Sequence, residues 1–141
     1  MIKNSIPHFL SVIFLAMLSL AFFYPLLSGK VIVQSDIQQF QGMQRQVLEH
    51  RGDYDEEPYW ADNAFGGMPT YQITSIYPYD FIGTLDKLIR FLPRPADYLF
   101  LYMFSFYLLL LYFTPKFQIA IAGAIAFGFS TYLLIILGVG H

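Results

Sequence analysis

Three stretches of this chain, residues 9–27, 98–113 and 117–139, contain no Lys, Arg, Asp or Glu. Each approaches or exceeds the roughly 17–25 apolar residues that a helix needs to cross a hydrocarbon core. In the whole chain only 13% of residues are charged, against about 25% in an average soluble domain. The shortage is concentrated in those runs, so the sequence reads as an all-α integral membrane protein. Its expected parts are a first transmembrane helix within 1–28, an external loop over 29–96, and further transmembrane helices at 97–114 and 117–139. With no cysteine there is neither a disulfide framework nor a thiolate zinc site. A net charge of −2 without a basic stripe argues against nucleic acid as a partner.

The first run follows Ser5, a candidate helix cap, and Pro7, suited to a first turn. A basic residue before an apolar core also describes a signal peptide. The run is longer than a usual signal core, and no small-residue cleavage site follows it, which favours a retained anchor. Pro25 and Ser28-Gly29 end the helix. His8 is expected at the headgroup boundary.

Residues 30–69 form the polar region around which the rest is arranged. Ser35 and Gln38 match a capping box at the start of a helix over about 35–51. Ile37, Phe40, Met43, Val47 and Leu48 recur along one side of it, so this helix is amphipathic. Residues 52–58 (GDYDEEP) read as a turn and loop, and 65–69 (FGGMP) as a sharp reversal in which Gly66 and Gly67 allow positive φ. A second amphipathic helix is expected at about 80–92, stopped by Pro93-Arg94-Pro95, with Asp97 capping the next. In the third span Ala120, Ala124 and Gly128 repeat every four residues, as do Ala122, Ala126 and Ser130; such faces let another helix approach closely. Three spans offer few partners for two such faces. With an apolar run that reaches 138–141 (GVGH), this makes the chain read as the N-terminal part of a longer protein, with further transmembrane helices of the same chain as partners.

Lys3 and Lys116 fall on one side of three spans, whereas every acidic residue lies in the loop side of the chain. The positive-inside rule then places the N-terminus in the cytoplasm and the loop outside.

Asp36 is the sharpest chemical candidate. It stands a few residues beyond the first span, in the first turn of a helix, where the helix dipole favours an acidic side chain. There it serves either as general base toward an acceptor hydroxyl, as a holder of a divalent metal against a diphosphate, or as a stabiliser of the helix alone. Asp53, Asp55, Glu56 and Glu57 lack the spacing of a calcium loop and read as a solvated turn. Tyr59, Trp60, Phe65 and Met68 suit either stacking on a sugar or lipid or anchoring at the interface. Asn63, with Asp62, either binds a polar ligand or makes a turn. His141 either contacts a phosphate or is an ordinary interfacial histidine. No serine-hydrolase elbow, zinc-protease helix or Walker-type phosphate loop is present. No ionisable residue inside a span marks a coupling-ion path.

The segments GKVIVQSDIQQFQGM (29–43) and EEPYWADNAFGGMPTYQI (56–73), with the closing Gly140-His141, resemble the N-terminal part of bacterial YfhO-type membrane proteins. That resemblance covers essentially the whole chain, and the W-x-x-x-x-FGGMP block is its most specific piece. It implies a GT-C-like architecture, in which a sugar is transferred from a polyprenyl-phosphate carrier to an extracytoplasmic acceptor in the cell envelope. By the same resemblance Asp36 takes the place of the catalytic acid, and the two amphipathic helices match the juxtamembrane pair. Trp60, Asn63, Gly66, Gly67 and His141 become candidate contacts to the lipid-linked sugar. Such a site is built between this loop and later elements, so this chain alone is expected to be inactive. The alternative is a non-catalytic membrane scaffold or lipid-binding subunit that packs through its third span.

Overall fold

The computed structural model describes residues 2–74 and 80–140. The protein is mostly helical. Two helices, α1 (Ile2–Phe22) and α4 (Ala96–Phe113), are long and apolar enough to cross a membrane. Most of α1 is uncovered: Phe9, Leu10, Phe14 and Met17 are exposed, a distribution expected of a helix solvated by lipid. Ser5 lies inside α1, which already begins at Ile2, so it does not cap the helix; Pro7 is also internal.

The third apolar run is not one straight helix. It breaks into α5 (Phe117–Gly128) and α6 (Thr131–Val139), bent by 52° across Phe129-Ser130. Gly128 is a poor helix former, and Ser130 starts a new helix with extended backbone angles. Counted as one span, the pair makes a third crossing.

α1, α4 and α5 form an up-down-up bundle around Leu15, Leu99, Met103, Tyr107, Ala120 and Ala124. The Ala120/Ala124/Gly128 face is consumed inside the chain. A Cβ on Gly128 would come within 2.4 Å of Met103 Cγ, so α4 and α5 are in close contact at that level. Ala122 and Ala126, on the other small face, stay exposed. Polar side chains tie the bundle at both ends. His8 Nδ1 lies 2.8 Å from the Tyr107 hydroxyl near the α4–α5 hairpin, and at the loop end Ser19 donates to the Ala96 carbonyl.

Beyond α1, a 3-10 turn over Tyr24–Ser28 ends at Gly29, whose φ of 74° is left-handed. Residues 30–34 carry no regular structure before α2 (Ser35–Tyr54). The expected capping box does not form. Gln34 takes the cap position, and Ser35 is the first helical residue, its hydroxyl donating to Asp36 Oδ1 at 3.2 Å. α2 also continues a turn past the expected stop at 51, with Gly52 inside it, and ends at Asp55 in a left-handed conformation.

The loop is not purely helical. β1 (Trp60–Ala61) and β2 (Met68–Pro69) pair antiparallel, with Trp60 opposite Pro69 and Ala61 opposite Met68. This hairpin closes a small second core of Val47, Ala61, Ala64 and Ile73 against α2. α3 (Phe81–Ile89) is shorter than the expected 80–92; the Asp80 side chain caps it by accepting the Gly83 N–H at 2.9 Å. Asp97 is not the cap of α4 but lies in its first turn.

Candidate functional site

α2 is the scaffold on which the sequence candidates are placed. Asp36 sits in its first turn, half-buried. From Asp36, steps of four, three and four residues lead to Phe40, Met43 and Val47, so all four share one stripe of the helix. Met43 and Val47 cover the hairpin core. The hairpin therefore packs on the face that Asp36 begins, with Met43 about 10 Å further along the axis.

The polar residues of the hairpin bind α2 directly. Gln46 Oε1 accepts the backbone N–H groups of Asp62 (2.9 Å) and Asn63 (3.0 Å). The Asn63 amide donates to the carbonyls of Gly42 (3.3 Å) and Met43 (3.2 Å). Asn63 thus has a structural task whatever else it contacts.

Trp60 and Gly67 are brought together. A Cβ on Gly67 would stand 2.8 Å from Trp60 Nε1, and the φ of 112° there disfavours any other residue. Gly66 also has positive φ, at 78°, but faces open space. Phe65 adopts a φ of 52°, unusual for a bulky residue, and is 88% exposed. Tyr59, Trp60, Phe65 and Tyr71 are all exposed aromatics of this block, which leaves ring faces available for stacking.

The start of α2 is fixed to the far end of α6. Gln34, buried, donates its side-chain amide to the Leu137 carbonyl at 2.6 Å. Gly140 lies against Ile37 and Gln34; a Cβ there would approach Ile37 Cγ1 to 2.8 Å. Beside this junction an apolar cavity of about 130 Å³ is lined by Phe22, Phe23, Ile32, Pro95, Leu134 and Leu137. His141 lies outside the described residues.

The acidic run is partly committed. Glu57 accepts a paired hydrogen bond from the Arg51 guanidinium, at 2.5 and 2.7 Å, which holds its carboxyl below the usual range. Among the described residues, no three His, Asp or Glu side chains are grouped to hold a metal ion.

Sequence reasoning named Asp36, Trp60, Asn63, Gly66 and Gly67 but missed Gln34 and Gln46, which hold two of those segments in place. A lone glutamine bonded to a residue 103 positions away leaves no local signal. No family model, curated protein or solved structure matches this chain.

Proposed function

We propose that this chain is the donor-side portion of a YfhO-type, GT-C-like membrane glycosyltransferase, working with further transmembrane helices. α1, α4 and the α5–α6 pair cross the bacterial cytoplasmic membrane, with the N-terminus inside and the loop outside. The observation that carries this reading is the placement of Asp36: an acid in the first turn of α2, whose start is held by Gln34 and Ile37 at the loop end of an apolar bundle, with an apolar cavity beside that junction.

In this reading the donor is a sugar on a polyprenyl-phosphate carrier, its chain in lipid and its phosphate at the level of Asp36. Asp36 accepts the proton of an acceptor hydroxyl as that oxygen attacks the anomeric carbon. The new glycosidic bond forms, the bond from that carbon to the phosphate oxygen breaks, and the polyprenyl phosphate leaves with the electron pair. The exposed aromatics around Trp60 suit a sugar ring, and a divalent metal, if used, would neutralise the phosphate beside Asp36.

The test is transfer from a panel of radiolabelled undecaprenyl-phosphate hexoses in membranes holding the full-length protein. Asp36→Asn should abolish transfer while leaving membrane insertion intact; undiminished transfer would sink the assignment.

A second reading, a non-catalytic scaffold or lipid-binding subunit, is favoured by the exposed Ala122/Ala126 face. Gly128 does not discriminate the two, since it packs on Met103 of the same chain. The informative change is Asp36→Asn, which a scaffold tolerates with its partner still bound and a glycosyltransferase does not.

A further inference from the structure

α2 hangs from α1 by a segment without regular structure, residues 30–34. Five extended residues reach up to about 17 Å, so the tether alone leaves Asp36 free to sweep a wide arc. What removes that freedom is the contact between the start of α2 and the end of α6. The Leu137 carbonyl lies in the last turn of α6, where helical carbonyls lack intrahelical donors, and the Gln34 amide supplies one. The Gln34 backbone carbonyl meanwhile accepts the Gln38 N–H at 3.1 Å, so the same residue starts α2 and grips α6. Gly140 completes the seat. Its φ of 114° closes α6, and the missing side chain makes room for Ile37, next to Asp36.

We propose that Gln34 is the positioning residue for Asp36: its amide, with Gly140 as the seat for Ile37, latches the start of α2 to the end of α6 and fixes where the Asp36 carboxylate acts. The inference rests on the catalytic reading of Asp36, whereas the latch itself is measurable without it. Misplacing a reacting group by about 1 Å can cost on the order of 100-fold in rate. Gln34→Leu, similar in size but without a donor, should therefore lower kcat by roughly 10- to 100-fold, with KM for the donor little changed.

Residues 1–141 hold no cysteine, so in the full-length protein, with any cysteine elsewhere replaced by serine, spin labels at Gln38→Cys and Ile135→Cys report the α2–α6 distance in nanodiscs without activity. The parent should give one narrow distribution and Gln34→Leu a broad one. Gln34→Lys, whose ammonium can donate to the same carbonyl at the negative end of α6, should narrow it again and recover part of the transfer. Transfer is read with the undecaprenyl-phosphate hexose found active for the parent. A distribution as narrow in Gln34→Leu as in the parent overturns the latch. A broad distribution with unchanged kcat overturns the positioning role while Asp36→Asn inactivity still supports the catalytic reading. Normal transfer by Asp36→Asn overturns both roles, and the distances then report the latch alone.

Discussion

Arg90 and Asp97 stand 3.3 Å apart across the Pro93-Arg94-Pro95 turn, and the Asp97 side chain is only 3% exposed. The other Asp97 oxygen accepts its neighbour's backbone N–H, from Tyr98, at 2.8 Å. Arg90 also pairs with Asp86 on α3, so one guanidinium joins α3 to the first turn of α4. Removing it leaves Asp97 buried with one oxygen unsatisfied, at a cost of roughly 1–3 kcal/mol. Arg90→Leu should lower the melting temperature in detergent, and adding Asp97→Asn should recover part of the loss.

Gly66 and Gly67 should respond differently to alanine. Both require a left-handed backbone, costing about 1–2 kcal/mol for a residue with a Cβ. Only at Gly67 does that Cβ also meet the Trp60 indole. Trp60 is the single tryptophan, so its emission should shift in Gly67→Ala and stay near the parent value in Gly66→Ala.

Gln46→Leu removes the acceptor shared by the Asp62 and Asn63 N–H groups. Each unsatisfied donor costs about 1–3 kcal/mol where water cannot replace the partner, and less at this exposed site. The hairpin should loosen from α2 and show faster proteolysis within residues 55–67, with the transmembrane helices unaffected.

How much of this architecture could be read from residues depends on the range of the signal. α1 and α4 follow from long charge-free runs, a property that any window of sequence displays. The break between α5 and α6 is invisible to averaged hydropathy because Phe127, Phe129, Leu133 and Leu134 keep the mean high; its signal is the local Gly128-x-Ser130-Thr131 pattern. Gly52 reads as a helix stop, yet α2 runs through it, since one glycine costs only about 1 kcal/mol and the packed Val47 face outweighs that. Asp36 was legible as an acid in a first turn. Its support from Gln34 was not, because the Leu137 carbonyl is a backbone group with no residue code.

Gly128→Leu should disrupt the single chain rather than an assembly. The added side chain enters the space of Met103, and such overpacking typically costs about 1–3 kcal/mol. Thermal unfolding of the detergent-solubilised protein should move to lower temperature at every protein concentration; a shift confined to dilute samples would instead indicate a contact between chains.

Acid should loosen the end of α2. The Arg51 hydrogen bond lowers the Glu57 carboxyl below its ordinary value of 4.5, so the folded state binds this proton less readily than the unfolded chain. Its stabilising contribution is present above pH 4.5 and is lost as pH falls through the lower folded value. Proteolysis after Tyr54 should accelerate in that acidic window, and Glu57→Gln should remove the change.

The 52° break at Phe129-Ser130 carries a demand on its surroundings. The first amides of α6, those of Thr131 to Leu133, precede the first internal bond of that helix, from Leu134 to Ser130. Hydrocarbon cannot hydrogen-bond them, and each bare amide in an oily medium costs several kcal/mol. A crossing made of α5 and α6 therefore has to be wetted or roofed by polar groups halfway along.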